Sequence, residues 1–308
     1  MTKRPNILIF GKNGQVGYEL CRSLSYLGNV SAVDIDECDL TNPSSIQETL
    51  NMHNPDVIVN AAAYTAVDKA ESETVLARKL NTEAPCTMAE WCARQDALMV
   101  HFSTDYVYDG SKADGWLETD PCEPLNVYGK TKLDGDIYIK NAGCRHLIFR
   151  TSWVYGAYGR NFYLTMRKML GEKKEITVVN DQYGAPTWSR AIATGVTLAL
   201  SQIISPNSPL HMRYISGIYN LTNAGETTWY SFTREIKSYM QRYENHSNLA
   251  QITPIDTEAY PTLALRPKYS KLSCEKLNNT FGIFMPSWES ALKMVFEESM
   301  KDNRLSTG

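Results

Sequence analysis

The stretch that most limits what this chain can fold into lies at its start. Asn6-Ile-Leu-Ile-Phe10 is an unbroken apolar run, followed by Gly11-Lys-Asn-Gly14-Gln-Val-Gly17 and by Val16, Leu20, Leu24 and Leu27 at helical spacing. A continuous apolar run suits a parallel strand buried on both faces. Strand, glycine-rich turn and helix in that order open a β-α-β unit. The glycines let the backbone turn tightly and approach a ligand, and the helix N-terminus favours an anion such as a pyrophosphate. Gly11, Gly14, Gln15, Val16 and Gly17 are therefore candidate ligand contacts, with Gly17 also placed to let helix and strand pack closely. The spacing is G-x-x-G-x-x-G, not G-x-G-x-x-G, so the expectation of a nucleotide site rests on context more than on the letters.

The alternation continues. Residues 30–33 read as a second strand ending at Asp34, about twenty residues past the glycine turn, where a carboxylate can accept from an adenosine ribose. Asp36 and Glu37 add negative charge that disfavours a ribose 2′-phosphate, and Lys12 offsets it in part. Asp39 and Leu40 fall in a loop able to meet an adenine edge. Thr41-Asn42-Pro43-Ser44 caps a helix running to about Met52. Residues 56–60 form a third strand, and Ala61-Ala62-Ala63 after it are small enough for a cofactor to come close. Helical patterns cover residues 73–94, and strands follow at 99–102 and 145–150. This order predicts an α/β fold: a Rossmann-type, doubly wound, mostly parallel sheet with helices on both faces. Ligands bind beyond the carboxyl ends of such strands. Gly11–Gly17, Asp34, Ala61–Ala63, Ser103–Asp105 and Thr151–Trp153 all fall there.

Tyr128-Gly-Lys-Thr-Lys132 should open a helix of roughly fifteen residues, which makes Tyr128 and Lys132 neighbours at i and i+4. A lysine ammonium beside a phenol should lower the tyrosine pKa from about 10 and yield a proton donor or acceptor usable near neutrality. Thr104 or Ser103, at the end of the preceding strand, could hydrogen-bond the same reacting oxygen. A second Tyr-x-x-x-Lys, Tyr108 to Lys112, contains Asp109-Gly110-Ser111, a turn that keeps its two side chains off one helix face.

After Trp153 the regularity weakens. Helices are expected at 161–170, 190–204, 229–242, 274–281 and 288–300, strands at 176–179 and 217–221, a surface loop at 204–213 and a frayed tail at 301–308. Residues 1–155 should mainly form a nucleotide-binding domain and 156–308 a smaller substrate lobe, with some segments returning to the first part. A net charge of −3 argues against a general nucleic-acid binder. Seven dispersed cysteines without Cys-x-x-Cys argue against a disulfide framework or zinc site and for a reducing compartment. The start lacks a signal-peptide core, and residues 191–204 are too short and polar to span a bilayer. A cytoplasmic protein without a membrane partner is expected.

Together GKNGQVG, Asp34, NAAAYT (Asn60–Thr65), STD (Ser103–Asp105) and YGKTK (Tyr128–Lys132) resemble the extended short-chain dehydrogenase/reductases. DVIVNAAAYTAVDKAE, HFSTDYVYDG, PLNVYGKTKLDGD, FRTSWVYG, VVNDQYGAPT, TTWYSF and YPTLALRP resemble, within them, the dTDP-4-dehydrorhamnose reductase family, over residues 6–288. The resemblance implies reduction of the 4-keto group of a dTDP-sugar by NADH or NADPH, on the way to a rhamnose donor for cell-surface polysaccharide. It implies Tyr128 as proton donor, Lys132 at the nicotinamide ribose and Thr104 on the keto oxygen. It places the cofactor against Gly14, Gln15, Val16, Asp34, Asp39, Leu40, Ala63, Tyr64 and Thr65. It places the sugar nucleotide against Asp105, Trp153, Asn161, Phe162, Gln182 and Arg266.

Some members of the family hold magnesium between glutamates at a dimer interface. Glu19 matches one such position, but Arg190 stands at the other and would repel a cation, so no metal site is expected and monomer and homodimer both stay open. Competing readings keep the fold and change the role: another nucleotide-sugar reductase, an epimerase, or a non-catalytic regulatory subunit of a methionine adenosyltransferase.

Overall fold

Five parallel strands alternate with helices through the first half of the chain: β1 (Asn6–Phe10), β2 (Asn29–Val33), β3 (Val57–Asn60), β4 (Leu98–Thr104) and β5 (Arg145–Thr151). A computed structural model describes residues 4–204, 215–244, 246 and 248–305, with side chains through residue 299. The strand Gly217–Asn220 pairs with β5 and completes a six-stranded sheet in the order Gly217–Asn220, β5, β4, β3, β1, β2. Every neighbouring pair is parallel. The chain steps from β1 out to β2, then returns across β1 to β3. That reversal opens a crevice at the carboxyl ends of β1 and β3, the place where such sheets take ligands.

Alternate residues of each strand face opposite layers. Ile7, Ile9, Val57, Val59 and Val100 pack on one side with Leu20 and Leu24, while Leu8, Phe10, Ile58, Met99 and Ile148 pack on the other with Ile46, Leu50, Met88 and Trp91. The first layer also receives Ile192, Val196 and Leu200 of the helix Ser189–Ile204. Burying such side chains contributes roughly 1.5–3 kcal/mol each, so this late segment is part of the sheet's own core. A separate cluster, including Tyr155, Tyr163, Phe232, Ile236, Trp288 and Phe296, forms a second hydrophobic core. There the strand Glu175–Val179 pairs in parallel with Gln251–Ile255, a short strand holding Pro254 that the sequence pattern does not reveal.

Two expectations need correction. The helical path over 73–94 is interrupted: Thr74–Arg78 passes through a π turn, Lys79–Glu83, into Ala84–Gln95. Pro85 has no N–H to give the Asn81 carbonyl, which loosens the α register there. The tail is helical further than expected, because the last helix runs Trp288–Leu305; residues 306–308 lie outside the described residues. So do residues 205–213 of the surface loop expected at 204–213. Among the described residues no helix is long and apolar enough to cross a membrane.

Candidate active site

The crevice at the strand reversal is shaped by backbone. Gly11 has φ +86°, and a β-carbon there would lie 2.8 Å from the Ala62 nitrogen. A β-carbon on Gly17 would stand 2.0 Å from the Gly11 carbonyl oxygen, so the helix Gln15–Ser23 reaches the turn only because residue 17 has none. Gly14 caps that helix without a side-chain acceptor, which leaves its first N–H groups available to an anion. The cavity measures about 340 Å³ and is lined by Gly11, Asp34, Asp39, Leu40, Ala62 and Ala63, with Leu76 and Leu80 on the far wall. Asp34 accepts from the Asn13 N–H at 2.9 Å and from the Ile35 N–H at 2.9 Å. Lys12 is paired with Glu37. Free helix N–H groups, a carboxylate at the mouth and small residues at the floor fit a dinucleotide.

Other residues expected at this crevice are placed differently. Val16 packs its side chain on the core and offers only backbone. Gln15 is engaged by the Asn161 amide at 2.8 Å. Tyr64 is buried and gives its hydroxyl to Glu73 at 2.7 Å, while Thr65 is exposed. Ala61 is half-buried beside Ala62.

The helix Val127–Asn141 carries Tyr128, Lys132 and Asp136 on one face. Asn126 caps it by accepting from the Gly129 N–H at 2.8 Å. Gly129 and Gly135 let it press close: β-carbons there would stand 2.1 Å from the Tyr106 oxygen and 2.3 Å from the Asn81 oxygen. Asn81 accepts from the Tyr64 N–H and donates to the Tyr64 carbonyl and to Thr131. The π turn therefore ties the loop after β3 to this helix.

The expected lowering of the Tyr128 pKa is overturned. Burial pushes the phenol up to about 12, against the pull of the neighbouring Thr104 hydroxyl, and Asp105 and Asp136 push it further up. Lys132 is buried too, and burial brings its amine down to about 8 despite Asp136. Desolvation outweighs the phenol–lysine attraction that the spacing suggested. Tyr128 is thus a fully protonated acid at neutral pH. Thr104 Oγ1 donates to Asp105 Oδ1 at 3.0 Å and accepts from the Tyr106 N–H at 3.1 Å. Asp105 Oδ2 makes no well-formed hydrogen bond although the residue is only 2 % exposed, and burial raises its carboxyl to about 7 against the pull of the nearby Ser270 and Thr104 hydroxyls. Ser103, by contrast, donates to Asp136 at 2.7 Å, and Asp136 lies 3.4 Å from Arg150. Of the two candidate hydroxyls, Ser103 belongs to this buried network and Thr104 stands beside the phenol.

The second cleft is larger, about 750 Å³, and is lined by Phe162, Gln182, Trp229, Tyr260, Thr262 and Arg266 among others. Trp153 lies flat on Trp229, centroids 3.5 Å apart and planes 7° from parallel. Its φ of +46° is rare for a bulky residue and marks local strain. Three expected sugar contacts already have partners in the fold. Asn161 caps the helix Phe162–Glu172 and donates to Gln15, Gly156 and Tyr158. Arg266 lines the cleft, yet its fork grips Asp68 at 2.7 and 3.1 Å, because a planar guanidinium matches a carboxylate in two bonds. Gln182 is held by Trp229 and Thr257.

Sequence reasoning missed Asn60, His101, Asp136, Arg150, Trp229 and Tyr260. Asp136 was readable, four residues beyond Lys132; the others depend on tertiary neighbours. The discarded pair behaves as a turn: Tyr108 donates to Leu117 and Lys112 pairs with Asp120. Arg190 bridges Glu19 at 3.0 Å and Glu298 at 2.5 Å. Among the described residues no three His, Cys, Asp or Glu side chains gather closely enough to hold a metal.

Residues 5–301 match the profile of the family described as RmlD substrate binding domain. A dTDP-4-dehydrorhamnose reductase of Burkholderia thailandensis is 44 % identical over 294 residues, covering 95 % of this chain and 98 % of its own. One from Escherichia coli K12 is 42 % identical over 297 residues, covering 95 % and 97 %. The crystal structure of a dTDP-4-dehydrorhamnose reductase from Bacillus anthracis in complex with NADP superposes with TM-score 0.85 at 34 % identity, covering 96 % of this chain and all of the other.

Proposed function

The chain belongs to the dTDP-4-dehydrorhamnose reductase family, and from that premise we propose how its residues carry out the reaction. It is an NAD(P)H-dependent oxidoreductase that reduces the 4-keto group of dTDP-4-dehydrorhamnose to give dTDP-L-rhamnose. The product serves cell-surface polysaccharide synthesis, and the enzyme works in the cytoplasm, where thiols stay reduced.

One observation carries the assignment of roles. The Tyr128 phenol, fully protonated, stands beside the Thr104 hydroxyl at the carboxyl end of β4. Tyr128 packs with Tyr64 and Leu80 on the side of the smaller cleft. It meets Tyr106 edge-on, and Tyr106 feels the charge of Arg266 in the larger one. The nicotinamide cofactor, when bound, supplies the hydride to the sugar's carbonyl carbon. Gly11, Gly14, the first N–H groups of the helix Gln15–Ser23, Asp34, Ala62 and Ala63 hold that cofactor; Lys132 takes its nicotinamide ribose. Thr104 turns its single O–H from Asp105 Oδ1 to the keto oxygen and steadies the negative charge that grows there. Tyr128 gives that oxygen its proton, a favourable transfer because an alkoxide is far more basic than a phenol held at about 12. Asp105 accepts from a sugar hydroxyl with Oδ2, which makes no well-formed hydrogen bond within the fold. The Trp153–Trp229 stack and Phe162 cover the apolar faces of the sugar nucleotide.

The test is oxidation of NADH and NADPH by the purified chain with dTDP-4-dehydro-L-rhamnose made in situ. Turnover is expected with the substrate and not without it. A folded protein that binds NADH and turns nothing over would overturn the assignment. Tightly held NAD with no net consumption would point to an epimerase instead.

A further inference from the structure

Lys132 has a neighbour that the chemistry above does not use. His101, in the middle of β4, is fully buried. Its Nε2 lies 3.1 Å from Lys132 Nζ, and its Nδ1 lies 3.2 Å from Asn60 Nδ2. Asn60, at the end of β3, is 1 % exposed, and its Oδ1 accepts from the Ala62 backbone N–H at 3.2 Å. A backbone N–H can only donate, which fixes the oxygen end of the Asn60 carboxamide. The other end is an NH₂ group facing His101 Nδ1, so Nδ1 accepts. A neutral imidazole with a bare Nδ1 carries its proton on Nε2. That N–H faces Lys132. An ammonium has three donors and no lone pair, so the two groups would meet donor to donor, whereas an amine would accept.

We infer that Asn60 and His101 are positioning residues that keep Lys132 a ready proton donor instead of a permanent cation, by presenting it with an N–H and no lone pair. Other groups around Lys132 set the balance. Asp136 on the same helix favours the ammonium, and Asp136 itself is drawn toward Arg150 of β5 and Ser103 of β4. Tyr128 on the same helix is neutral at rest. The π turn brings Asn81 and Thr82 against Thr131, both uncharged. His101 stays neutral because burial and Lys132 hold its pKa well below the usual imidazole value.

The consequence lies in the second half of the proton cycle. Tyr128 loses its O–H proton to the alkoxide and becomes a phenolate. The Lys132 ammonium then loses an N–H proton to the phenolate, leaving phenol and amine, and the amine takes its next proton from water. A lysine near 8 gives up that proton far more readily than one at the ordinary value of about 10.4. This purpose rests on the reductase reading; the tautomer itself does not.

The test combines spectroscopy with kinetics. In protein labelled with ¹⁵N-histidine, the His101 ring is expected as the Nε2–H tautomer. In Asn60→Asp a carboxylate can accept from both Ala62 N–H and Nδ1–H, so the ring should switch and turn its Nε2 lone pair to Lys132. The alkaline limb of kcat/KM should then move up by about one pH unit or more. A wild-type ring protonated on Nδ1 overturns the inference, even if the variant does not fold. So does a limb that stays in place after the switch, or one that moves without it, since charge alone would then be the cause. If the chain reduces no keto-sugar, the tautomer and the pH dependence of NADH binding still decide this question separately.

Discussion

The two clefts are closed by different means. The smaller is closed by backbone: Gly11 against Ala62, Gly17 against Gly11, and uncapped N–H groups at a helix start. The larger is closed by side chains drawn from residues far apart in sequence, with Trp153 lying on Trp229 and Phe162, Gln182, Tyr260 and Arg266 around them. A backbone-built cleft tolerates few changes at its glycines and many elsewhere. A cleft built of side chains spreads its binding over many residues, each of modest weight. Tyr128, the proposed acid, lines neither cleft and should fit neither pattern.

The largest effect is therefore expected at Tyr128. Tyr128→Phe removes the proton donor and nothing else, so turnover should fall roughly 10²–10⁴-fold while NADH still binds. Stopped-flow hydride transfer and NADH fluorescence measure the two separately. Near-normal turnover would remove Tyr128 from its role and leave the clefts without a shared acid.

Gly17→Ala comes next and tests the backbone-built side. The added methyl group would sit 2.0 Å from the Gly11 oxygen, so the helix must retreat from the turn. Overpacking of this kind costs about 1–3 kcal/mol, and NADH affinity should weaken together with thermal stability. An unchanged melting temperature with intact NADH binding would show that the close approach is not what shapes this cleft. Trp229→Ala tests the other side. Losing the indole stack, worth about 0.5–1.5 kcal/mol beyond its buried area, should raise KM for the dTDP-sugar about tenfold and leave the NADH dissociation constant alone. If both constants move together, the clefts are one coupled site and the contrast between them fails.

The same contrast explains what the sequence could show. β1 begins and ends where its apolar run does, and the helix Val127–Asn141 has the length that Tyr128-Lys132 and its surroundings suggested. Such features are local: a run of apolar residues or a turn of glycines leaves its mark within a few positions. The strand Gln251–Ile255 was not legible, because its partner Glu175–Val179 lies far back in the chain and its own pattern includes a proline. At the site, the spacing placed Tyr128 beside Lys132 but mis-stated the electrostatics. Attraction can be read from spacing, whereas burial depends on everything packed around the pair, and here burial dominates. Asn161 and Arg266 show a related effect of the fold. Side chains that look available in a sequence find partners in the fold, Gln15 for one and Asp68 for the other.

The smallest expected effect concerns which cofactor the backbone-built cleft prefers. Asp34 stands at its mouth and takes two backbone N–H bonds, while Lys12, the nearby cation in the turn, is held by Glu37. A ribose 2′-phosphate entering there would meet an uncompensated carboxylate. Asp34→Ala removes that charge, and the Asn13 and Ile35 N–H groups it held become free to donate to an anion. The ratio of kcat/KM for NADPH to that for NADH should rise roughly fivefold, about 1 kcal/mol for a partly screened charge at the surface. Because the repulsion is electrostatic, the gain should shrink as salt is raised from low to physiological levels. An unchanged ratio at low salt would mean that Asp34 acts through its hold on the Asn13 N–H, shaping the turn, and that charge plays no part in choosing between the two cofactors.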